Sequence, residues 1–469
     1  MTPDDAFGSL NRITGLAPFK TPEFSGSDPV LPTPYGAASA AAAALGLAAS
    51  AVHEIWRLRG GEAQTIAIDL KLAAASLVSF ALQRLDGKEV PRPGATNPTI
   101  ALYRAADRRW IHLHGGFRHL AKRTLELLNA ENDAESIAAA VAKWNAFALE
   151  DALAHLGLCG AVARTAEEWR TSPQGVALEN TPPISLTRIG DAPPLRLEKG
   201  EEPLEGVRVL DLTRVLAGPT AGRTLASHGA DVLAVRAQRL ETIEAFDLDT
   251  GHGKRLADLD LAKPADAEKL RSLVRGAHVF VDSYRPGALA KLGFTPAALA
   301  HAAPGIVHVA VSAYGAHGPW GARRGWEQLA QVATGIALEQ GAFMAARAHR
   351  RRDTVPALIP AAVCDYVTGY LAAAGAAAAL LRRIREGGSW KVEVSLAATA
   401  QWLQRLGKAD AMGVPDHWLS GIGLDGHMKS CETKRGRLDF LGPVVAMSKT
   451  PPRWLRPPPE PGPAQWLYE

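Results

Sequence analysis

The sequence predicts an α/β protein built on a doubly wound, mostly parallel, Rossmann-like sheet. Two observations carry that reading: the almost continuously apolar strand VRVLDL (207–212), which passes through a loop into a small-residue helix, and the alternation of strand and helix that follows it. A parallel strand is covered by helices on both faces, so it reads as an unbroken apolar run. About two hundred residues precede this unit, which normally opens such a domain.

Taken in order, VRVLDL leads into AGRTLASHG, where Pro219 suits the first helical turn because its missing N–H costs nothing there. Gly229 suits the stop, since glycine takes the left-handed conformation without a Cβ penalty. The strand ADVLAV completes a βαβ unit. LADLDL, the helix PADAEKLRSLVRGA, the strand HVFVDSY, a short helix after Arg285-Pro286-Gly287 and the strand GIVHVAVSAYG continue the alternation. The tail from Pro451, PPRWLRPPPEPGP, is expected to be extended and to wrap a surface, because proline removes donors and fixes φ.

With 469 residues, 47% hydrophobic and 21% charged, the chain can bury a sizeable core and fits roughly two or three domains. Its 52 basic residues against 48 acidic ones, a net charge of +4, are too balanced for a nucleic-acid binder, and the expected partner is a small molecule. Cys159, Cys364 and Cys431 have neither metal-ligand spacing nor the even count of a disulfide framework, so no metal is expected. The start, MTPDDAFGSLN, has no basic, apolar leader, and a cytoplasmic location is the expectation. The Ala-rich runs 37–52 and 371–381 end quickly in charge (His53-Glu54, Arg382-Arg383) and read as buried helices rather than membrane spans.

Ligands of doubly wound sheets bind beyond the carboxyl ends of the strands, where this chain places Thr213-Arg214, Gly253-Lys254-Arg255, Arg285-Pro286-Gly287 and Ser312 to Gly318. A single arginine is most often a solvated charge. Three basic clusters among four such loops point instead to a phosphate-bearing ligand. The lack of GxGxxG after the first strand argues against a nicotinamide or flavin dinucleotide.

One carboxylate stands out. Asp365 sits in VPALIPAAVCDYVTGYLAAAG, directly before an apolar helix. It reads as an N-cap, or as a partly desolvated carboxylate kept ionised by the helix dipole and able to attack an activated acyl group; the two readings are compatible.

The chain also contains a weak internal repeat. Ala51 to Leu77 and Ala376 to Leu403 each run from a small-residue helix through a glycine pair (Gly60-Gly61, Gly387-Gly388) into a strand (Thr65 to Leu70, Lys391 to Leu396) and another helix. Aligned without gaps, the first copy has Ser39 where the second has Asp365; a short gap puts Gly36 there. Neither supplies a carboxylate.

Six motifs in order over about Leu204 to Leu403 resemble the class III CoA-transferase family, which includes formyl-CoA:oxalate and carnitine CoA-transferases and the α-methylacyl-CoA racemases. They are LEGVRVLDLTRVLAGPTAGRTLASHGADVLAV, GHGKR, VDSYRPGALAKLGF, VSAYGAHGPW, RRGWEQLAQVATG and AVCDYVTGYLAAAG. The first part resembles the family's later portion: Pro34 to Leu77 is similar to the helix and strand after the aspartate, and Tyr103 to Gly116 and Trp144 to Gln174 to a smaller α+β domain. The order is thus permuted or partly duplicated: a tail (1–30), a degenerate helix–strand segment (31–90), a small domain (91–180), a linker (181–202), a CoA-binding large domain (203–405) and a wrapping C-terminal segment (406–469).

The resemblance implies CoA transfer between an acyl-CoA and a carboxylic acid through an aspartyl mixed anhydride and an enzyme–CoA thioester, with Asp365 as nucleophile. It implies that Arg214, Lys254, Arg255 and Arg285, with Pro286 and Gly287, hold the CoA nucleotide, and that Val215 and Leu216 lie against adenine or pantetheine. CoA enters as a substrate and no permanently bound cofactor is implied; family members form interlocked homodimers. The chain departs from the pattern at Gly325-Trp326-Glu327, where relatives have Gly-Tyr-Asp or, in racemases, Gly-His-Asp, and at Arg236, where a glutamate is usual. Losing that histidine counts against racemisation, which needs a second base. The alternatives are a non-catalytic CoA-binding paralogue and an acyl-CoA racemase or isomerase.

Overall fold

The first Ala-rich run forms helix α1 (Ala37–Leu58), and the strand Ile66–Asp69 and helix Leu70–Ser76 follow it. Helix, glycine pair, strand and helix thus occur in the order read for the first copy. Its strand stays out of the main sheet: it pairs in parallel with Glu23–Ser25 and antiparallel with Val445–Met447. The computed structural model describes residues 2–15, 19–91, 96–285, 287–349 and 354–467.

Next comes an antiparallel sheet of Ile100–Arg104, Trp110–His114 and Gly160–Val162. The helices Arg118–Leu128, Ala134–Val141 and Ala146–His155 close it over a core that includes Ile111, Leu113, Ile137, Leu149 and Val162. That core continues into Leu329 and Val332 of the helix Glu327–Thr334, which docks this unit against the rest of the chain.

The main sheet has eight strands: β1 (Ser185–Gly190), β2 (Arg208–Leu212), β3 (Asp231–Arg236), β4 (Arg255–Asp258), β5 (Val279–Asp282), β6 (Val307–Ser312), β7 (Ser389–Ser395) and β8 (Pro461–Gly462). Their spatial order is β8-β4-β3-β2-β5-β6-β7-β1. All neighbours are parallel except β1, which runs antiparallel along β7. From β2 the chain winds outward to β3 and β4, then returns to β5 and winds the other way through β6 and β7. The reversal between β2 and β5 is the topological switch point, where a crevice forms because neighbouring crossovers leave in opposite directions.

Strand alternation divides the core between the two faces. Val209, Val281, Val309 and Val392 face a cluster containing α1, helix α2 (Ala217–Ala226) and helix α3 (Val363–Glu386), whereas Leu210, Leu212, Leu233 and Phe280 join a second cluster on the other face. Each such side chain contributes on the order of 1.5–3 kcal/mol by leaving water. Helices α1 and α3 are long and apolar enough to cross a membrane, but 94% and 100% of their most apolar windows are buried inside the protein. They pack along each other. Their alanines permit that closeness, because a small side chain lets two backbones approach.

The proline-rich tail is mostly irregular, yet it does more than wrap a surface. Pro461–Gly462 pairs with Leu256–Ala257 as edge strand β8, and Trp466 is only 6% exposed in the core beside Leu270 and Leu273. An edge strand tolerates proline because one side of it needs no donor.

Candidate functional site

A cavity of about 470 Å³ opens at the switch point. The loops after β2 and β5 supply Arg214, Val215, Leu216, Ser283 and Arg285, and the segment before the helix Glu327–Thr334 supplies Arg323 to Trp326. The antiparallel unit closes the cavity with Phe117, His119, Leu120 and Cys159. Asp365 and Glu327 also line it.

Asp365 is the third residue of α3, and the N-cap position belongs to Ala362, so the N-cap reading of Asp365 does not hold. Among the described residues its carboxyl has no hydrogen-bond partner, although the residue is only 8% exposed. Burial first, and the nearby charge of Glu327 second, push its pKa well above the usual carboxylate range. Glu327 is itself 5% exposed, and burial raises it to about 7. Its Oε1 accepts from Gln331 Nε2 at 2.6 Å and from the backbone N–H of Cys364 at 3.3 Å, two contacts that favour its ionised form. Of these two buried carboxyls, Glu327 is the one with hydrogen bonds to hold a charge and Asp365 the one left open to the cavity.

The backbone fixes this geometry. One turn after Asp365, Gly369 approaches α2 so closely that a Cβ would stand 2.5 Å from the carbonyl oxygen of Ala217. Val215 adopts φ 73°, a left-handed conformation that a β-branched residue takes only when its surroundings impose it. Leu216 gives α2 no side-chain cap, so the first amides of that helix keep their donors free of side chains beside the cavity.

The cations are distributed unevenly. Arg214 donates to the carbonyl of Glu241 and lies 5.0 Å over the ring of Phe117, with no carboxylate ion pair among the described residues. Arg285 is exposed and has no ion pair among the described residues. Arg324 approaches His119 Nε2 at 3.4 Å, and burial and the positive charge of Arg285 lower its pKa. Arg323 is held by Asp151 at 3.0 Å and Glu150 at 3.7 Å.

Of the residues singled out in the sequence, Arg214, Val215, Leu216, Arg285 and Asp365 meet in this cavity. Lys254 does not line it: its Nζ is buried, 2.7 Å from both Asp211 Oδ2 and the carbonyl of Pro219, beside a smaller hollow of about 80 Å³. Asp211 in turn accepts the backbone N–H of Thr213 at 3.0 Å, so Lys254 braces the loop that carries Arg214. Arg255 lies outside the cavity as well, paired with Asp231 at 2.8 Å. Gly287 lines a neighbouring cavity of about 460 Å³ that shares Tyr284, Arg285, Val311 and Ser312 with the first. Pro286 lies outside the described residues. Sequence reasoning did not assign Glu327, Arg324, Trp326 or Phe117 a place in the site; the basic pair beside Gly325-Trp326-Glu327 is a signal that could have found the first three. Among the described residues no group of three His, Cys, Asp or Glu is placed to hold a metal ion.

The repeat has a structural counterpart. Ser39 is the third residue of α1 as Asp365 is of α3, and Gly36 is the N-cap, which favours the ungapped alignment. In place of a carboxylate on the helix itself, Asp28 Oδ2 accepts the N–H of Ser39 at 2.7 Å. The first copy thus has its helix start occupied, and the second leaves it open.

Residues 204–414 match the model of CoA-transferase family III. An acyl-CoA transferase of Gibberella moniliformis is 30% identical over 416 residues, covering 80% of this chain and 72% of that protein. The acetyl-coenzyme A transferase nodX of Hypoxylon pulicicidum is 36% identical over 209 residues, 44% of this chain and 34% of its own length. The crystal structure of Rv3272 from M. tuberculosis has 30% sequence identity and a TM-score of 0.40, covering 44% of this chain and 57% of that one. Apart from the Gibberella protein, then, the chain spans between about a third and somewhat over half of these relatives.

Proposed function

The chain belongs to CoA-transferase family III, and from that premise we propose that it moves CoA from an acyl-CoA thioester to a carboxylic acid, with Asp365 as the nucleophile. The observation that carries the reading is the carboxyl of Asp365 itself: buried, without a hydrogen bond among the described residues, and lining a cavity at the switch point together with Arg214, Arg285 and Arg324, which have no carboxylate ion pair among the described residues. Arg214 and Arg285 suit the CoA phosphates, because a guanidinium matches two phosphate oxygens at once. Val215 and Leu216 form the apolar wall for the adenine or pantetheine. Lys254 and Arg255 contribute from behind, through Asp211 and Asp231.

The exchange proceeds in balanced steps. The ionised carboxylate of Asp365 attacks the thioester carbonyl, the C–S bond breaks, and CoA leaves as the thiolate with an aspartyl–acyl anhydride behind it. The thiolate attacks the aspartyl carbonyl, and the acyl group departs as a carboxylate. The acceptor carboxylate attacks the enzyme thioester and the thiolate returns to the new acyl group, releasing Asp365. Each step exchanges one activated carbonyl for another, and the enclosed site keeps water from these intermediates. The rise in the pKa of Asp365 disfavours its ionised, attacking form, and the hydrogen-bonded Glu327, whose charge contributes to that rise, is a group suited to influence it.

Incubation with an acyl-CoA panel and hydroxylamine, followed by peptide mass spectrometry, tests the proposal. The expected product is a hydroxamate at Asp365. Turnover by an Asp365→Ala variant, or an unmodified Asp365 in a protein that turns over, would exclude it.

A further inference from the structure

Resting on the CoA-transfer reading, we propose that two buried side-chain pairs, Lys254 with Asp211 and His308 with Asp282, are positioning residues that set Arg214 and Arg285 across the switch point as one coupled unit.

The two pairs repeat one design on neighbouring strands. Asp211 of β2 accepts the backbone N–H of Thr213 at 3.0 Å, and its hydroxyl as well, and Arg214 follows. Asp282, the last residue of β5, accepts the backbone N–H of Tyr284 at 3.1 Å, and Arg285 follows. A carboxylate that bonds an amide two residues on folds the chain into a tight turn, so each aspartate shapes a loop that carries an arginine. Each carboxylate is in turn held from a distant segment. Lys254 Nζ, just before β4, lies 2.7 Å from Asp211 Oδ2, and His308 Nε2, on β6, lies 2.6 Å from Asp282 Oδ2. All four residues are less than a tenth exposed.

The braces act from opposite faces of the sheet. Asp211 alternates with Val209 and faces the side of α1, α2 and α3, whereas Asp282 alternates with Phe280 and faces the other. Lys254 reaches further, donating to the carbonyl of Pro219 at 2.7 Å in the first turn of α2. One ammonium thus fixes both ends of the turn that holds Val215 left-handed. Gly222 makes room for it, since a Cβ there would stand 2.9 Å from Lys254 Nζ. The two loops are joined directly, because Ser283 Oγ accepts the backbone N–H of Arg214 at 3.4 Å. A buried ion pair adds little to stability, as desolvation offsets its attraction; what it supplies here is a fixed position. Two arginines held at a set separation suit a ligand with more than one anionic group, because less freedom is lost on binding.

Calorimetry with free CoA on the full chain tests the inference, with Tm followed for each variant. Lys254→Met and His308→Phe should each weaken CoA by about tenfold, and with Ser283 in place the two losses should not add. Because each pair acts through an arginine, Lys254→Met should cost less than about twofold in an Arg214→Ala background, and His308→Phe likewise in an Arg285→Ala background. Ser283→Ala should make the losses from the two pairs additive. With an acyl-CoA that turns over, Lys254→Met should raise KM by about tenfold and lower kcat by less than about threefold, a split that general loss of structure would not produce. Where an aspartate left without its partner prevents folding, Asp211→Asn joined to Lys254→Met, or Asp282→Asn joined to His308→Phe, removes both members and carries the same expectation. Undiminished losses in the arginine backgrounds, or losses already additive with Ser283 present, overturn the inference while leaving CoA binding standing. A parent chain that binds no CoA removes the CoA reading, and the inference with it.

Discussion

The carboxyl of Glu327 accepts the backbone N–H of Cys364 at 3.3 Å, tying the segment that carries Trp326 to the first turn of the helix that carries Asp365. This contact makes Glu327 the group best placed to tune the proposed nucleophile. Its negative charge raises the pKa of Asp365, and in the proposed mechanism only the ionised form of Asp365 attacks. Glu327→Gln removes that charge, so the acid limb of the kcat/KM profile should move to lower pH. An unmoved limb would mean that the two carboxyls are not coupled.

Asp365→Asn should reduce kcat by about a thousandfold or more, with CoA affinity little changed, because the proposed nucleophile is removed while the arginines remain. Thermal stability of this variant at pH 8 should equal or exceed that of the parent. An unbonded, desolvated carboxyl whose pKa is raised in the fold costs stability once the pH rises through that value.

The sheet was legible because its signals are local. Apolar runs, Pro219, Gly229 and the strand-end loops lie within a few residues of the elements they define, and the predicted strand spacing agrees with β2 to β7. The edge strand at Pro461–Gly462 was not, since its identity depends on a partner two hundred residues away. The same distance limits the site. Arg214, Leu216 and Asp365 follow from strand ends and a helix start, whereas Phe117 and Trp326 reach the cavity through packing between distant segments. Lys254 and Arg255 read as open cations because sequence does not reveal that Asp211 and Asp231 stand beside them.

Gly369→Ala tests the close approach of α3 to α2. The added Cβ would stand 2.5 Å from the carbonyl of Ala217, a backbone atom that cannot swing aside. The expected loss is about 1–3 kcal/mol of stability by denaturant unfolding, with activity falling in the folded fraction as Asp365 is displaced. A neutral result would show that the helices separate at little cost.

Acid should destabilise the protein well before ordinary carboxylates titrate. Burial lowers His112 and His228 to about 4, and His114 and His252 to about 3, from an ordinary value near 6.5. Depressed histidines contribute stability that is complete above the unfolded value and lost as pH falls below it, by up to about 1.4 kcal/mol per unit for each group. Burial lowers His278 to about 3 as well. Glu327 and Asp365 act in the opposite sense: the effect of Glu327 is fully favourable below about 4.5 and lost as pH rises towards about 7, and Asp365 is raised likewise. Five histidines outweigh two carboxyls, so Tm should drop between pH 6.5 and pH 5. A flat Tm across that interval would contradict the burial of the histidines.

The cavity is walled by residues of a single chain, with Phe117, His119 and Cys159 brought to Arg214 and Asp365 in cis. Specific activity should therefore be unchanged on dilution through concentrations at which any dimer separates, as followed by light scattering beside the assay. Activity that falls with dissociation would show that a second copy completes the site.

From Val363 to Leu381, every residue of α3 is buried, with α1 alongside it. An amide in such a helix reaches solvent only when much of the molecule opens, so its hydrogen exchange should report global rather than local unfolding. Asp365 thus stands at the mouth of what should be the slowest-exchanging part of the protein, and deuterium labelling that leaves Ala372 to Leu381 protected while the proline-rich tail exchanges would trace that gradient.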